Sequence, residues 1–175
     1  MYITSSMGLV VLVRSAVLLT LIGAATAADV SRELVQDVQE QSMELPSIEG
    51  LVVLPTPHTV AAILAKTVAI AQARGITVFA NIDFSGDAAR SQLTLRPMGL
   101  VILGNPAAGT PVMAAAPTTA IDLPLKILAF EDVQGRRWVA YNDPKYLQRR
   151  HGFSEALMKN LAPIGKLAEA VASAD

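Results

Sequence analysis

The chain contains no cysteine, which removes disulfide bridges, thiolate metal sites, iron–sulfur ligation and cysteine nucleophiles together. Its stability must therefore come from an apolar core, and about 125 residues are enough to build one. Charge is also sparse, with 14 Lys and Arg against 15 Asp and Glu. The basic residues are scattered apart from Arg136–Arg137 and Arg149–Arg150, so the electrostatic footprint of a nucleic-acid binder is missing. There are only two histidines, His58 and His151, and a metal site would have to complete them with carboxylates or methionine. The methionines, among them Met98 and Met113, are not clustered as a copper site would require and read as core filler. No metal and no cofactor is assigned. The stretch Gly104–Thr110 (GNPAAGT) lacks the terminal Gly–Lys–Ser/Thr of a phosphate loop, which argues against nucleotide hydrolysis. No serine triad or paired-carboxylate glycosidase spacing is recognisable.

What the chain does have is an apolar fraction of 52%, part of which lies at its start. Arg14 precedes the run Ala16–Ile22, and Gly23–Ala28 includes the small-residue pattern Ala25–Thr26–Ala27. This reads as a secretory signal peptide over residues 1–27, cleaved after Ala27, with Met7 as an alternative start. Arg14 interrupts the apolar stretch that a membrane-spanning helix would need. The expectations are a periplasmic or secreted domain and no membrane span once the signal is removed. Residues 28–47 are polar and Gln/Glu-rich and read as a spacer.

Residues 48–175 read as a single domain. Ile48–Leu54 is a strand candidate, and Thr56–Pro57 reads as the cap and first position of a helix. Val60, Ile63, Leu64, Thr67, Val68 and Ala71 share a helical stripe that Gly75 ends. Ile76–Asp83 alternates, with Ile76, Val78, Ala80 and Ile82 on one face. Phe84–Leu93 is a short helix candidate, Gly99–Leu103 a strand, and Asn105–Pro106 opens a short helix that Pro117 closes. Leu125–Asp132 and Arg137–Asn142 form a hairpin around Gln134–Gly135, and Asp143–Pro144 opens another helical piece. Leu157, Leu161, Ile164, Leu167 and Val171 form a last stripe that Pro163 kinks or splits. Strands clustered after the first helix favour an antiparallel sheet with helices on one face, an α+β two-layer fold of order β-α-β-β-β-β-α.

Residues 96–132 (RPMGLVILGNPAAGTPVMAAAPTTAIDLPLKILAFED) and 141–152 (YNDPKYLQRRHG) carry the motifs GNP, GTP, DLPLK, ED, YNDP and RHG in succession. In these the chain resembles the family of domains of unknown function 302, over roughly Ile48–Ala172. The resemblance implies a single antiparallel sheet gripping long helices, and no activity. The chain departs from the family pattern at Ile82–Asp83–Phe84, where many relatives have a histidine after the aspartate; this weakens any transfer of metal or acid–base chemistry.

The candidate ligand-binding residues are Asp83, Asn105, Thr110, Met113, Asp122, Lys126, Asn142, Arg150 and His151. Asn105 and Asp143 each precede proline, so helix capping competes with a ligand role. Asn142 is freer to contact a ligand. Backbone amides at the start of the Asn105 helix offer a cradle for a small anion. Asp122 and Lys126, four apart, read as an ion pair or as acid and base. His58 falls in the first turn of a helix, whereas His151 lies between two helices and is the side chain most suggestive of a site. These readings favour a small-molecule or anion binding or accessory module whose pocket joins the GNPAAGTPVM loop, Asp122, Lys126 and the Arg150–His151 corner. The alternatives are a self-associating, homodimeric domain and a metal-assisted enzyme using His151 with Asp83 or Asp122.

Overall fold

Apolar alternation becomes five strands: β1 (Leu51–Thr56), β2 (Thr77–Asp83), β3 (Met98–Gly104), β4 (Leu125–Glu131) and β5 (Arg137–Asn142). The structure, a computed structural model, describes residues 47–174. The expected signal peptide and all but the last residue of the expected spacer lie outside the described residues. The strands form one antiparallel sheet in the order β1-β5-β4-β3-β2. The helices are α1 (Val60–Ala73), α2 (Phe84–Arg90), α3 (Pro106–Ala115), α4 (Pro144–His151), α5 (Glu155–Met158) and α6 (Pro163–Ala172), with a short 3-10 helix at Pro117–Ile121. This is the α+β architecture the strand clustering predicts. Among the described residues no helix is long and apolar enough to cross a membrane.

The core lies between the sheet and the helices α1 and α6. Val60 and Ile63 of α1 and Ile164, Leu167, Ala168 and Val171 of α6 are buried against Val101, Leu103, Ile127, Ala129 and Val139 of the three central strands. Alternate residues of a strand point to opposite faces, so one face of β3, β4 and β5 supplies the whole sheet side of this core. A second cluster of Val112, Ala116, Leu147, Phe153 and Leu161 holds α3, α4 and the chain before α6 together.

Two local expectations are corrected. The first strand continues through Pro55 and Thr56, which pair with Trp138 and Arg137. The helix cap is therefore Thr59, whose side chain accepts the amide of Ala62 at 3.2 Å, and His58 precedes the helix. Pairing with β5 outweighs the local Thr–Pro signal. In β2 the register shifts between Val78 and Ala80. Val78 pairs with Leu103, but Ala80 pairs with Ile102 and Ile82 with Leu100, residues on the opposite face from Leu103. The bulge thus breaks the single apolar face expected of Ile76, Val78, Ala80 and Ile82, and turns Asn81 and Asp83 towards the helix-covered face.

The hairpin between β4 and β5 is organised by Asp132. Its carboxylate accepts the amides of Gln134 and Arg136, the Arg136 guanidinium at 2.7 Å and the Trp138 indole at 2.9 Å. The Arg136 guanidinium also stacks 5.3 Å from the centre of the Trp138 ring. Desolvation pushes the carboxyl upward, but the Trp138, Arg136 and Gln134 hydrogen bonds outweigh it and hold Asp132 at about 2, below the ordinary 3.8. A depressed carboxyl stabilises the fold above its unfolded value, and that stabilisation is lost as pH falls through the folded value. Urea unfolding of wild type should therefore show stability declining between about pH 4 and pH 2, and Asp132→Asn should flatten that part of the profile.

Candidate functional site

Helix α3 begins at the GNP motif. Asn105 caps it, its side-chain oxygen accepting the Ala107 amide at 2.9 Å. Pro106 has no N–H to offer, and the amides of Ala108 and Gly109 both return to the Asn105 carbonyl at 2.9 Å. Every donor of the first turn is engaged within the helix start. The anion cradle expected here therefore lacks free amides. Asp143 behaves in the same way at α4, accepting the Lys145 amide at 2.9 Å.

Beside this helix lies a cavity of about 260 Å³ lined by Phe79, Met113, Leu123, Pro124, Leu125 and Leu161, with Asn105, Thr110 and Asn160 as its polar side chains. Gly104 and Gly109 keep it open: a Cβ at Gly104 would sit 3.4 Å from Pro124 and 3.8 Å from Phe79, and one at Gly109 would lie 3.9 Å from both Leu123 and Met113. Asn160 donates to the Ala108 carbonyl at 3.0 Å, tying the chain before α6 to α3. Among the described residues, the Thr110 hydroxyl, the Asn105 amide nitrogen and the Asn160 side-chain oxygen have no hydrogen-bond partner. They are spare polar capacity along a mainly apolar cavity, with Asn105 and Thr110 being exposed residues.

A second constellation lies on the segment that leads from α3 into β4. The Asp122 carboxylate is 2.6 Å from Nε2 of His151 and 3.3 Å from the Arg150 guanidinium. Nδ1 of His151 lies 3.0 Å from the Thr118 hydroxyl. The side chains of His151 and Asp122 are 5% and 13% exposed, whereas Thr118 is exposed. The three groups form a chain running from an exposed hydroxyl to a part-buried carboxylate.

A family model described as "Domain of unknown function DUF302" matches residues 52–173. The chain belongs to that family. The solved structure of an uncharacterized conserved DUF302 protein from Bacillus stearothermophilus matches with a TM-score of 0.59 at 16% identity, over 71% of this chain and 97% of that one. At that identity the likeness shows a shared fold. Among curated proteins, the chain is 39% identical over 102 residues to "Fluoride-specific ion channel FluC 1" of Brucella suis, covering 58% of this chain and 40% of the channel protein. "Fluoride-specific ion channel FluC 2" of Brucella melitensis matches over 102 residues at the same identity, with 38% of its length covered. The chain thus spans about two-fifths of the length of the curated relatives it matches.

Within this DUF302 domain the predicted site residues separate into groups. Asn105, Thr110 and Met113 line the cavity, and Asp122, Arg150 and His151 form the charged cluster. Lys126 does not pair with the Asp122 carboxylate as expected; its Nζ donates to the backbone carbonyls of Asp122 and Pro124 at 2.8 and 3.0 Å. Burial pushes its amine below the usual lysine value, against the opposing pull of Asp122. The i, i+4 reading fails because the intervening chain is not α-helical: the 3-10 helix ends at Ile121 and β4 begins at Leu125. Asp83 caps α2, accepting the Gly86 amide at 2.9 Å and the Ser85 hydroxyl at 2.7 Å, and these two bonds lower its carboxyl. It faces a separate cleft with Asn81 and Ser85, so His151 meets Asp122 and not Asp83. Asn142 pairs with Leu51 at the end of β5 and lines neither the cavity nor the cluster. His58 sits 2.8 Å from the Ser173 carbonyl at the end of α6.

Thr118, Asn160 and Phe79 are site residues that sequence reasoning missed. Asn160 carried a readable signal, a polar residue directly before Leu161 of the apolar stripe. Thr118 carried none, because its partner His151 is 33 positions away. The Asp122 cluster generates a direct prediction. Asp122→Asn removes the charge that His151 and Arg150 share, and stability should fall by about 1–3 kcal/mol in urea unfolding. An unchanged midpoint would mean the cluster does not hold this segment.

Proposed function

We propose that this DUF302 domain is a small-molecule binding module, accessory to other activities, whose ligand is a compact neutral molecule with an apolar body and one or two hydrogen-bonding atoms. The observation that carries this reading is the cavity of about 260 Å³, lined mainly by apolar side chains together with three polar ones that have unused hydrogen-bonding capacity. Sites for small molecules combine these same ingredients, a concave apolar surface with a few placed polar groups. The volume suits a single ring or a short branched chain. An anion is disfavoured, since among the described residues no cationic side chain lines the chamber and the α3 amides are already engaged. Fluoride, for which the related channels are named, is for the same reasons not the ligand this chemistry selects.

The accessory role draws on the curated relatives, in which the matching segment is about two-fifths of a longer protein named for a different activity. The export reading rests on the signal-like residues 1–27 and places the domain in the periplasm or outside the cell. Self-association is a weaker reading. The edge strand β1 carries Pro55, and the other edge, β2, carries a bulge, both of which hinder edge-to-edge pairing.

A thermal-shift screen of neutral fragments tests the reading. A fragment at one hundred times its Kd stabilises a single-site protein by about 2.7 kcal/mol, a shift of several degrees in Tm. Wild type should respond to small neutral aromatic or branched alcohols and amides, and not to acetate or fluoride. Gly109→Leu, which places a helix-compatible side chain into the chamber, should fold and lose the response. No shift with any fragment, or a shift retained in Gly109→Leu, contradicts the assignment.

A further inference from the structure

We propose that Thr118 is a nucleophilic hydroxyl, with His151 as its general base and Asp122 as the carboxylate that orients the imidazole, serving acyl transfer from small apolar esters. The inference is independent of the cavity and concerns the cluster on the segment between α3 and β4.

The hydrogen positions follow from chemistry. An ionised carboxylate only accepts hydrogen bonds, so the 2.6 Å contact from Asp122 places the imidazole hydrogen on Nε2. Nδ1 is left with its lone pair facing the Thr118 hydroxyl at 3.0 Å, the arrangement a base needs to take a proton. The exposure gradient has the same sense. His151 and Asp122 are 5% and 13% exposed, while Thr118 is open to solvent. Arg150 lies 3.3 Å from the same carboxylate. The Thr118 contact is not needed to anchor its segment, because Asp122 already ties the same short stretch to α4. Ile121 supplies the substrate preference. In a 3-10 helix side chains three apart eclipse, so Ile121, 73% exposed, shares a face with Thr118 and offers an apolar surface beside the hydroxyl.

The reaction consumes only the ester and water. As the Thr118 oxygen attacks the ester carbonyl, its proton passes to Nδ1 of His151. Collapse of the tetrahedral adduct breaks the bond to the alcohol oxygen, which leaves with the proton from Nδ1, and Thr118 carries the acyl group. Water then attacks the acyl carbonyl and gives a proton to the same nitrogen. The carboxylic acid departs, and that proton returns to the Thr118 oxygen.

The test incubates the full chain with an alkyl fluorophosphonate and, separately, with p-nitrophenyl butyrate, reading adduct mass, the labelled peptide and nitrophenolate release. A single adduct on Thr118 is expected. It should be absent in Thr118→Val, kept in Thr118→Ser, and slowed about 100-fold or more in His151→Gln. Butyrate ester turnover should fall in parallel and exceed that of the acetate ester. No adduct on Thr118, or labelling unchanged in His151→Gln, overturns the proposal and leaves the cluster a structural clamp. Thr118 is exposed, so its two variants keep the test decisive even if His151→Gln does not fold.

Discussion

The carboxylate of Asp122 receives His151 at 2.6 Å and Arg150 at 3.3 Å, and much of the domain's functional geometry depends on that meeting. The residues concerned are brought together from 29 positions apart. Asp122 stands at the end of the 3-10 helix, and the next three residues, Leu123, Pro124 and Leu125, form one wall of the cavity. Anchoring the carboxylate therefore positions an apolar wall on one side and the Thr118 hydroxyl on the other. Lys126 reinforces the arrangement by donating to the carbonyls of Asp122 and Pro124. The Arg150 side chain is half exposed, so its ion pair adds little, and the short part-buried contact with His151 is the main side-chain tie on this segment.

The sheet supplies the rigid frame against which the segment is set. β3 and β4 are central strands, and the cavity opens where both end on the same side, at Gly104 and Leu125. Antiparallel pairing places the C-terminal end of one strand beside the N-terminal end of the next. Hence the loop leaving β3 and the loop entering β4 meet at one corner, and the family motifs GNP and DLPLK converge there. The apolar helices α1 and α6 cover the core face, leaving the corner residues to shape the chamber.

The sheet, its strand count and the caps at Asn105 and Asp143 were legible in the sequence because they depend on local signals: period-two alternation, and Asn or Asp before proline. The bulge in β2 was hidden because Ile76, Val78, Ala80 and Ile82 alternate without a break, and only pairing with β3 reveals the shift. Thr56 mimicked a cap that strand pairing overrode. Site residues were legible as types and not as neighbours. His151 was recognisable as a candidate, but Asp122 was matched to Lys126 by helical spacing on a stretch that is not α-helical, while Thr118 gave no signal. Long-range side-chain meetings depend on the path of the chain through loops, which residue patterns do not encode.

Asp122 is expected to fix His151 as the tautomer bearing hydrogen on Nε2, with Nδ1 turned to Thr118. The direct measurement is two-dimensional ¹⁵N–¹H correlation of the His151 imidazole at about pH 8, where an ordinary histidine is neutral. A protonated, pyrrole-like Nε2 and an unprotonated, pyridine-like Nδ1 are expected, a pattern lost in Asp122→Asn. A ring protonated on Nδ1, or a mixture of tautomers unaffected by Asp122→Asn, would contradict that expectation.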